Sequence, residues 1–347
     1  MRLARRWAGS VELEAETPDG VVRALAHPDL VGEPVMGDRV LLNTTALHQG
    51  LGTGGHALVV ALPDRPPADV PVPGHLVKAR YTPLQVSVAG ADEPGGVSYA
   101  ELAAADGLDG LPVVVADLHS ALPAIVAGVH DRRPDARVAY VLTDGGALPA
   151  AYSRTVAGLR AAGALVGVVS TGQAFGGDLE AVTVHSGLLA ARVVLAADVV
   201  VVAQGPGNLG TGTTWGFSGV AAGEAVNATG VLGGRPVASL RVSAVDPRPR
   251  HRGVSHHSVT AYGRVALLPA DVVVPVGLPG GLDPVVAAAA APLSMRHRLV
   301  EVSVDGLLDA LAAAPVTLST MGRGLADDPS AFLAAAAAGR HAAALLA

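Results

Sequence analysis

Apolar and polar positions alternate with two different periods along the chain, and the period changes near residue 73. In the first part, Val11, Leu13 and Ala15 alternate with glutamates, and turn residues separate further short apolar runs. Alternation with period two predicts strands that bury one face. Residues 1–73 are therefore predicted to form a small antiparallel, β-barrel-like domain that ends in a proline-rich linker at 63–73.

The second part, residues 74–347, repeats short valine-rich runs and longer helix-like stretches. Continuous apolar runs are typical of strands that are buried on both faces of a parallel sheet. The predicted strands are 113–116, 138–142, 165–169, 199–203, 237–240, 272–276, 300–304 and 316–318, and the predicted helices include 122–129, 150–161, 188–196, 220–228 and 331–338. This alternation predicts an α/β domain with a doubly wound, mostly parallel, Rossmann-like sheet.

Composition and hydropathy favour a cytoplasmic protein. Half of the residues are hydrophobic but only 3% are aromatic, so valine, leucine and alanine must build the core. The strongest candidate for a membrane span is 188–203, but Arg192 and Asp198 interrupt it. The apolar runs that remain are too short to cross a bilayer. The arginines near the N-terminus precede an alternating segment rather than the apolar core of a signal peptide.

Charge and cysteine content exclude several classes of function. The formal net charge is −6 and basic residues are not clustered, which argues against nucleic acid as a partner. The absence of cysteine excludes disulfides, thiolate metal sites and cysteine nucleophiles. The expected partner is a small anionic metabolite or a nucleotide, and a homo-oligomer is compatible with the sequence.

The most informative segment is the loop that follows the predicted strand 199–203. Small residues there expose many backbone N–H groups, which is how proteins often hold anions. The candidate binding residues are Gly205, Gly207, Asn208, Gly210, Thr211, Gly212, Thr213 and Thr214. Three cationic side chains are candidate clamps for the same anion, namely Lys78, Arg80 and Arg323. For Lys78 and Arg80, an interdomain salt bridge is the alternative role.

A histidine pair supplies candidate acid–base chemistry. Ser255 is predicted to cap a helix that begins at His256 and His257, where the helix dipole favours a neutral imidazole. Adjacent helical residues point in different directions, so one of the two is expected to be the general acid or base, oriented by Asp144 or Asp178. No metal is expected, because His251, His256 and His257 lack the spacing of familiar zinc motifs.

Three functions remain open at this point. The first is an enzyme that acts on a phosphorylated or carboxylated small metabolite, with no cofactor specified by the sequence. The second is a nucleotide-sensing or scaffold protein without catalysis. The third is an NADP-dependent oxidoreductase, because Gly205, Gly207 and Gly210 have dinucleotide-fold spacing and Arg241 follows the next strand.

Several segments of the chain are similar to a bacterial family of unknown function found in actinobacteria and Firmicutes. The similar segments are 41–46, 50–55, 74–85, 173–189, 204–219 and 252–260. They cover nearly the whole length of the chain. The resemblance implies a complete, soluble, two-part bacterial protein, and it implies no activity or catalytic residue.

Overall fold

Two main sheets organise the chain, which the computed structural model describes at residues 1–51, 54–69, 71 and 74–346. The strands are β1 (Arg2–Trp7), β2 (Ser10–Thr17), β3 (Gly20–Ala26), β4 (Leu41–Asn43), β5 (Ala57–Ala61), β6 (Leu76–Lys78), β7 (Val86–Val88), β8 (Pro112–Val115), β9 (Val138–Thr143), β10 (Gly167–Ser170), β11 (Leu179–Glu180), β12 (Val199–Gln204), β13 (Arg235–Ser239), β14 (Val242–Ser243), β15 (Gly253–Val254), β16 (Asp271–Val276), β17 (Arg298–Ser303), β18 (Ser319–Thr320) and β19 (Arg323–Gly324). The α-helices are α1 (Pro28–Val31), α2 (Thr45–His48), α3 (Tyr99–Ala104), α4 (Leu122–Arg132), α5 (Arg154–Ala161), α6 (Val184–Val193), α7 (Ala221–Val231), α8 (His256–Thr260), α9 (Asp283–Ala290), α10 (Leu307–Ala312) and α11 (Pro329–Ala344).

The N-terminal sheet has the order β1-β2-β3-β5-β4. Its neighbouring strands are antiparallel except for β3 and β5, which run parallel. Leu13, Ala24 and Ala57 are buried in its own hydrophobic cluster. An antiparallel sheet in this region is thus confirmed, and its closure into a barrel stays a prediction. The boundary at residue 73 also stays a prediction, because residues 70, 72 and 73 of the linker lie outside the described residues, as do 52 and 53 of segment 50–55 and residue 347.

The second sheet has the order β11-β10-β9-β12-β8-β13-β16-β17. Its neighbouring strands all run parallel. The α/β class with a mostly parallel sheet is therefore confirmed. The predicted strand 316–318 was wrong: these residues belong to no strand, and the short hairpin β18–β19 follows them.

Helices pack on this sheet in two groups. From β8 to β9 and β10, the chain adds strands toward the β11 edge of the sheet. From β12 to β13, β16 and β17, it adds strands toward the opposite edge. Right-handed crossovers place the helices of these two halves on opposite faces. The contacts agree, because α4 packs on α10 and α11, whereas α7 packs on α6 and on a π-helical turn at Ala261–Val265.

Small residues bring α4 and α11 unusually close together. A Cβ atom on Gly128 would lie 1.9 Å from the carbonyl oxygen of Ala336, and one on Gly339 would lie 2.0 Å from that of Ile125. The alanine-rich α11 is buried along most of its length. None of the helices in the described ranges is both long and apolar enough to traverse a bilayer.

The N-terminal sheet contacts the turn that precedes α5. The indole Nε1 of Trp7 and the hydroxyl of Ser10 both donate hydrogen bonds to the carbonyl of Ala151, at 2.8 and 2.7 Å. The guanidinium of Arg154 lies over the Trp7 ring, 5.5 Å from its centroid. These contacts lie on the β9–β10 side of the parallel sheet, away from the site described below.

Candidate active site

A crevice opens where β8 and β13 end. After β8 the chain continues to β9, on one side of β8. It reaches β13, on the other side of β8, from β12 by crossing over β8. Neighbouring strands whose connections run to opposite faces leave a crevice at their carboxyl ends, and open α/β sheets bind ligands there. The crevice is narrow, with a volume of about 30 Å³ inside about 450 Å³ of space that includes open solvent, and its polar lining includes Asp117, Ser120, Arg241, Ser243, Thr320 and Arg323.

Asp117 lies two residues beyond β8 and is almost fully buried. Its Oδ2 atom has no hydrogen-bond partner among the described residues. The same oxygen lies 3.5 Å from Nδ1 of His257 and 4.0 Å from Nη1 of Arg241. A buried carboxylate oxygen without a hydrogen bond is destabilising, and such groups are characteristic of functional sites.

Arg241 lies two residues beyond β13 with only 11% of its side chain exposed. Burial lowers its pKa, against the attraction of Asp117. Nη1 lies 3.3 Å from Nδ1 of His257, and the nearest oxygen of Asp246 is 3.9 Å away. A guanidinium carries five N–H groups in a planar fork. Arg241 therefore has further N–H donors that its contact with His257 does not use.

Asp246 is the fully buried anion of the cluster. Hydrogen bonds from Arg248 hold the pKa of its carboxyl well below its usual range, although burial opposes them. Both oxygens of Asp246 accept from Arg248 at 2.9 Å, and Oδ2 also accepts from Arg323 at 3.2 Å. Arg323 further contacts Asp328 at 3.3 Å. Two internal carboxylates thus engage Arg323, which places this predicted clamp in the structural framework beside the crevice.

Three histidines converge next to Asp117. One ring nitrogen from each of His251, His256 and His257 lies within 4.8 Å of those of the other two. Ser255 caps α8 as predicted, since its Oγ accepts from the backbone N–H of His257. The same hydroxyl lies 2.7 Å from Nδ1 of His251.

The convergence of His256 and His257 was not expected from the sequence. Successive helical residues point about 100° apart, but both residues stand in the first turn of the short helix α8. Their rings lie 4.5 Å apart and flank His251, which belongs to the preceding turn. Both rings therefore lie in the cluster, and the prediction that only one of the two acts as general acid or base stays a prediction.

Burial keeps two of these imidazoles neutral. Desolvation and the nearby Arg241 lower the pKa of His251 to about 3. Desolvation also lowers the pKa of His256, whose Nε2 is buried without a partner among the described residues. A neutral imidazole has one nitrogen with an available lone pair. The cluster therefore offers unprotonated nitrogens at neutral pH.

The glycine-rich loop after β12 covers this cluster. Phe217, at its end, stacks on His257 with ring centroids 3.7 Å apart and planes 1° apart. A Cβ atom on Gly212 would lie 3.4 Å from the guanidinium of Arg250. The loop and the histidine segment, predicted separately from the sequence, thus lie side by side.

The loop does not have the shape of a dinucleotide fingerprint. It folds back on itself, because Thr211 N–H donates to Gly216 O and Gly210 forms a β-bridge with Phe217. Helix α7 begins only at Ala221. A Rossmann fingerprint requires a tight turn directly from strand to helix, so the pyrophosphate-binding geometry is missing from this part of the loop.

The other sequence candidates lie outside the crevice. Lys78 is buried and donates to the carbonyls of Ala174 and Ala181 at 2.9 Å, with Glu180 Oε2 3.2 Å away. Burial lowers its pKa against the attraction of Glu180. Because these contacts engage its ammonium group, Lys78 ties β6 to the sheet instead of clamping a ligand. Arg80 is exposed on the segment that follows.

Asp144 and Asp178 are held by contacts of their own. Asp144 accepts from the backbone N–H of Gln173 at 2.8 Å. Asp178 accepts from Arg160 and from the backbone N–H of Val168. The carboxylate that faces His257 is Asp117 instead. The structure thus replaces the two predicted orienting carboxylates by a different residue.

Comparison with known proteins identifies a family. A family model described as a protein of unknown function (DUF3866) matches residues 23–339. The chain belongs to this DUF3866 family. No curated protein and no solved structure matches it. The resemblance to a family of unknown function is thereby confirmed.

The segment shared with DUF3866 contains every residue of the crevice, whereas β1, β2 and the first three residues of β3 precede it. Sequence reasoning missed Asp246, Asp328 and Phe217 as parts of this site. Asp117 carried a signal, because it is a polar residue directly after a buried strand. Asp246 lies in a loop after β13 whose path could not be read from the sequence.

A larger cavity lies between the N-terminal sheet and β10, lined in part by His27, Phe175 and Glu180. Arg160 pairs with Asp178 there, and Oε2 of Glu180, like Oδ2 of Asp117, is buried without a hydrogen bond among the described residues. The crevice at β8 and β13 is smaller, but beside it polar atoms of Asp117, Arg241 and His257 lie within 4.0 Å of one another. Such clusters of buried ionisable groups are typical of functional sites, so the crevice is the better candidate.

Proposed function

We propose that this DUF3866 protein is an enzyme that acts on a small anionic metabolite in the crevice between β8 and β13. The observation that carries the proposal is the buried guanidinium of Arg241. Its two neighbouring carboxylates, at 3.9 and 4.0 Å, are too distant for hydrogen bonds. The fork is therefore suited to a carboxylate or phosphate group that approaches in its plane.

The proton-transferring centre of this proposal is the pair Asp117–His257. Nδ1 of His257 accepts from Arg241 at 3.3 Å and lies 3.5 Å from Asp117. In this proposal a ligand anion draws the Arg241 fork away, Nδ1 then carries a proton toward Asp117, and Nε2 is left to accept protons. Stacking on Phe217 fixes the plane of the ring. The pair thus has the arrangement of a general base, with the anion-binding Arg241 adjacent to it.

The loop Gly205–Thr214 has a supporting role in the proposal. Gly212 of this loop lies beside Arg250, and Phe217, three residues after the loop, stacks on His257. We propose that this loop and Arg250 cover the ligand and exclude water. The separate hydrophobic cluster of the N-terminal sheet supports the proposed division into domains 1–73 and 74–347, in which the smaller domain carries none of the reacting groups.

The test begins with purified protein and a panel of phosphorylated and carboxylated metabolites. For any ligand that binds, we expect Arg241→Gln to weaken binding by about 30-fold or more, because charged hydrogen bonds in a buried site are worth about 2–5 kcal/mol. Arg132→Gln, on the exposed face of α4, is the matched control and should bind normally.

Turnover separates an enzyme from a sensor. We expect Asp117→Asn and His257→Gln to bind the ligand but to lose turnover by about 100-fold or more, since positioned acid–base groups contribute about 10²–10⁴-fold. Equal binding by wild type and Arg241→Gln would contradict the anion site. Ligand binding without any turnover in the wild type would favour the sensor function.

A further inference from the structure

We propose that His251, His256 and His257 bind a divalent first-row transition-metal ion, with zinc as the best match. The three ring nitrogens already lie within 4.8 Å of one another. Zinc–nitrogen bonds are about 2.0–2.1 Å long, so tetrahedral ligands around zinc are about 3.4 Å apart. The most distant of these nitrogens therefore need to approach by about 1.4 Å to share one ion.

The hydrogen bonds around the rings leave a suitable nitrogen on each. Nδ1 of His251 bonds to Ser255 Oγ at 2.7 Å, and Nδ1 of His257 accepts from Arg241 at 3.3 Å and lies 3.5 Å from Asp117. Nε2 is therefore the nitrogen that both rings have left for an ion. Nε2 of His256 is buried and has no partner among the described residues.

Asp117 supplies a second and independent observation. It is 97% buried, since its relative exposure is 3%, and its Oδ2 atom lacks a hydrogen bond among the described residues. Metal-bound histidines commonly donate their other N–H to a carboxylate of this kind, which fixes the ring and increases its basicity. An ion on Nε2 of His257 requires the proton on Nδ1, which then donates to Asp117 once Arg241 withdraws from its 3.3 Å contact with that nitrogen.

The ligand set determines the class of ion. Three imidazoles suit zinc, copper, nickel and iron, whereas magnesium and calcium require oxygen ligands. Three protein ligands leave a fourth tetrahedral position open, which is typical of catalytic rather than structural zinc. The positive charge of Arg241 beside the cluster faces Asp117 at 4.0 Å, whereas Asp246 is engaged mainly by Arg248 and Arg323.

The sequence did not indicate this site because the ligands are not spaced along one helix. His251 comes from a 3₁₀ turn, while His256 and His257 come from the start of α8. The inference goes beyond the proposed function and stands without it. A bound ion would occupy Nε2 of His257, so it would take the place of the general base in the proposed function and supply an activated water molecule there.

The test uses full-length protein stripped of metal by a chelator and titrated with Co²⁺ and then Zn²⁺. We expect one Co²⁺ per chain with the visible absorption bands of a tetrahedral site, and displacement of Co²⁺ by Zn²⁺. His251→Gln, His256→Gln and His257→Gln should each weaken binding by at least 100-fold. Asp117→Asn should weaken it by about 10–100-fold.

The exposed His185 on α6 provides the matched control, and His185→Gln should bind Co²⁺ as the wild type does. The absence of a saturable Co²⁺ spectrum in the wild type would overturn the proposal, whether or not the variants fold. Binding that survives all three histidine substitutions would also overturn it. These readouts need no substrate, and Arg241→Gln should lose the anion while it retains the metal, so failure of either proposal is recognisable separately.

Discussion

The buried pair Asp117–Arg241 should couple more strongly than a shorter ion pair on the surface. The two charged groups are 4.0 Å apart with 3% and 11% of their side chains exposed. The proposed perturbations are Asp117→Asn, Arg241→Gln and the double variant. Each single substitution leaves its partner as a buried charge with reduced compensation.

The expected magnitude follows from burial. Two unit charges 4 Å apart attract by about 4 kcal/mol at an effective dielectric constant of about 20. Removal of one partner of a buried pair typically destabilises a protein by about 3–5 kcal/mol. Here His257 and Asp246 compensate part of the loss. We therefore expect each single variant to lose about 2 kcal/mol of unfolding free energy, with a coupling energy of about 1.5 kcal/mol.

The assay is urea unfolding of the wild type and the three variants. The control is the same cycle for Arg39–Asp64, which are only 2.8 Å apart but 73% and 61% exposed. Exposed pairs couple weakly because water screens them, so we expect less than about 0.5 kcal/mol there. Additive effects at Asp117 and Arg241, within about 0.5 kcal/mol, would refute the electrostatic description of the site. A stronger coupling at the exposed pair would refute it as well.

Three further predictions concern the framework. Gly128→Ala should lower the unfolding free energy in urea by about 1–3 kcal/mol, because its Cβ would collide with the Ala336 carbonyl; no loss would contradict the close helix contact. Lys78→Met should cost about 3 kcal/mol in the same assay by leaving Glu180 buried without its cation, and Glu180→Gln in that background should restore part of it. Burial raises the pKa of Glu12, but hydrogen bonds from Arg23 and His56 outweigh this and lower it to about 2. The stability that Glu12 contributes should thus be complete above its ordinary pKa of 4.5 and be lost as the pH falls toward 2; an unchanged acid unfolding curve in Glu12→Gln would contradict this.

Most strands of the parallel sheet could be predicted from the sequence because they are buried on both faces. Their apolar runs are continuous, so β9, β12 and β16 begin within one residue of the predicted positions. The order of the strands could not be predicted, because the insertion of β12 between β8 and β9 depends on which helix faces pack together. The apolar run 316–318 looked like a strand, but it has no neighbouring strand to pair with in the described structure.

The location of the site at the strand ends could be predicted, but which carboxylate lies beside which histidine could not. Asp117, Asp144 and Asp178 all follow or approach strand ends, and nothing local distinguishes them. Only the fold shows that Asp117 lies beside His257, 140 positions away in the sequence. Asp178 accepts a hydrogen bond from Arg160 instead, and Asp144 accepts one from the backbone of Gln173. Lys78 could not be assigned from the sequence, because its partners are backbone carbonyls, which carry no sequence signal.

The most direct test of the central claim is a crystal structure of the protein with the anionic metabolite that stabilises it most in a thermal-shift screen. The account predicts that the anionic group lies within hydrogen-bond distance of the Arg241 guanidinium, with a reacting atom beside the Asp117–His257 pair. A ligand found instead in the larger cavity lined by His27, Phe175 and Glu180, with the crevice at β8 and β13 empty, would contradict it.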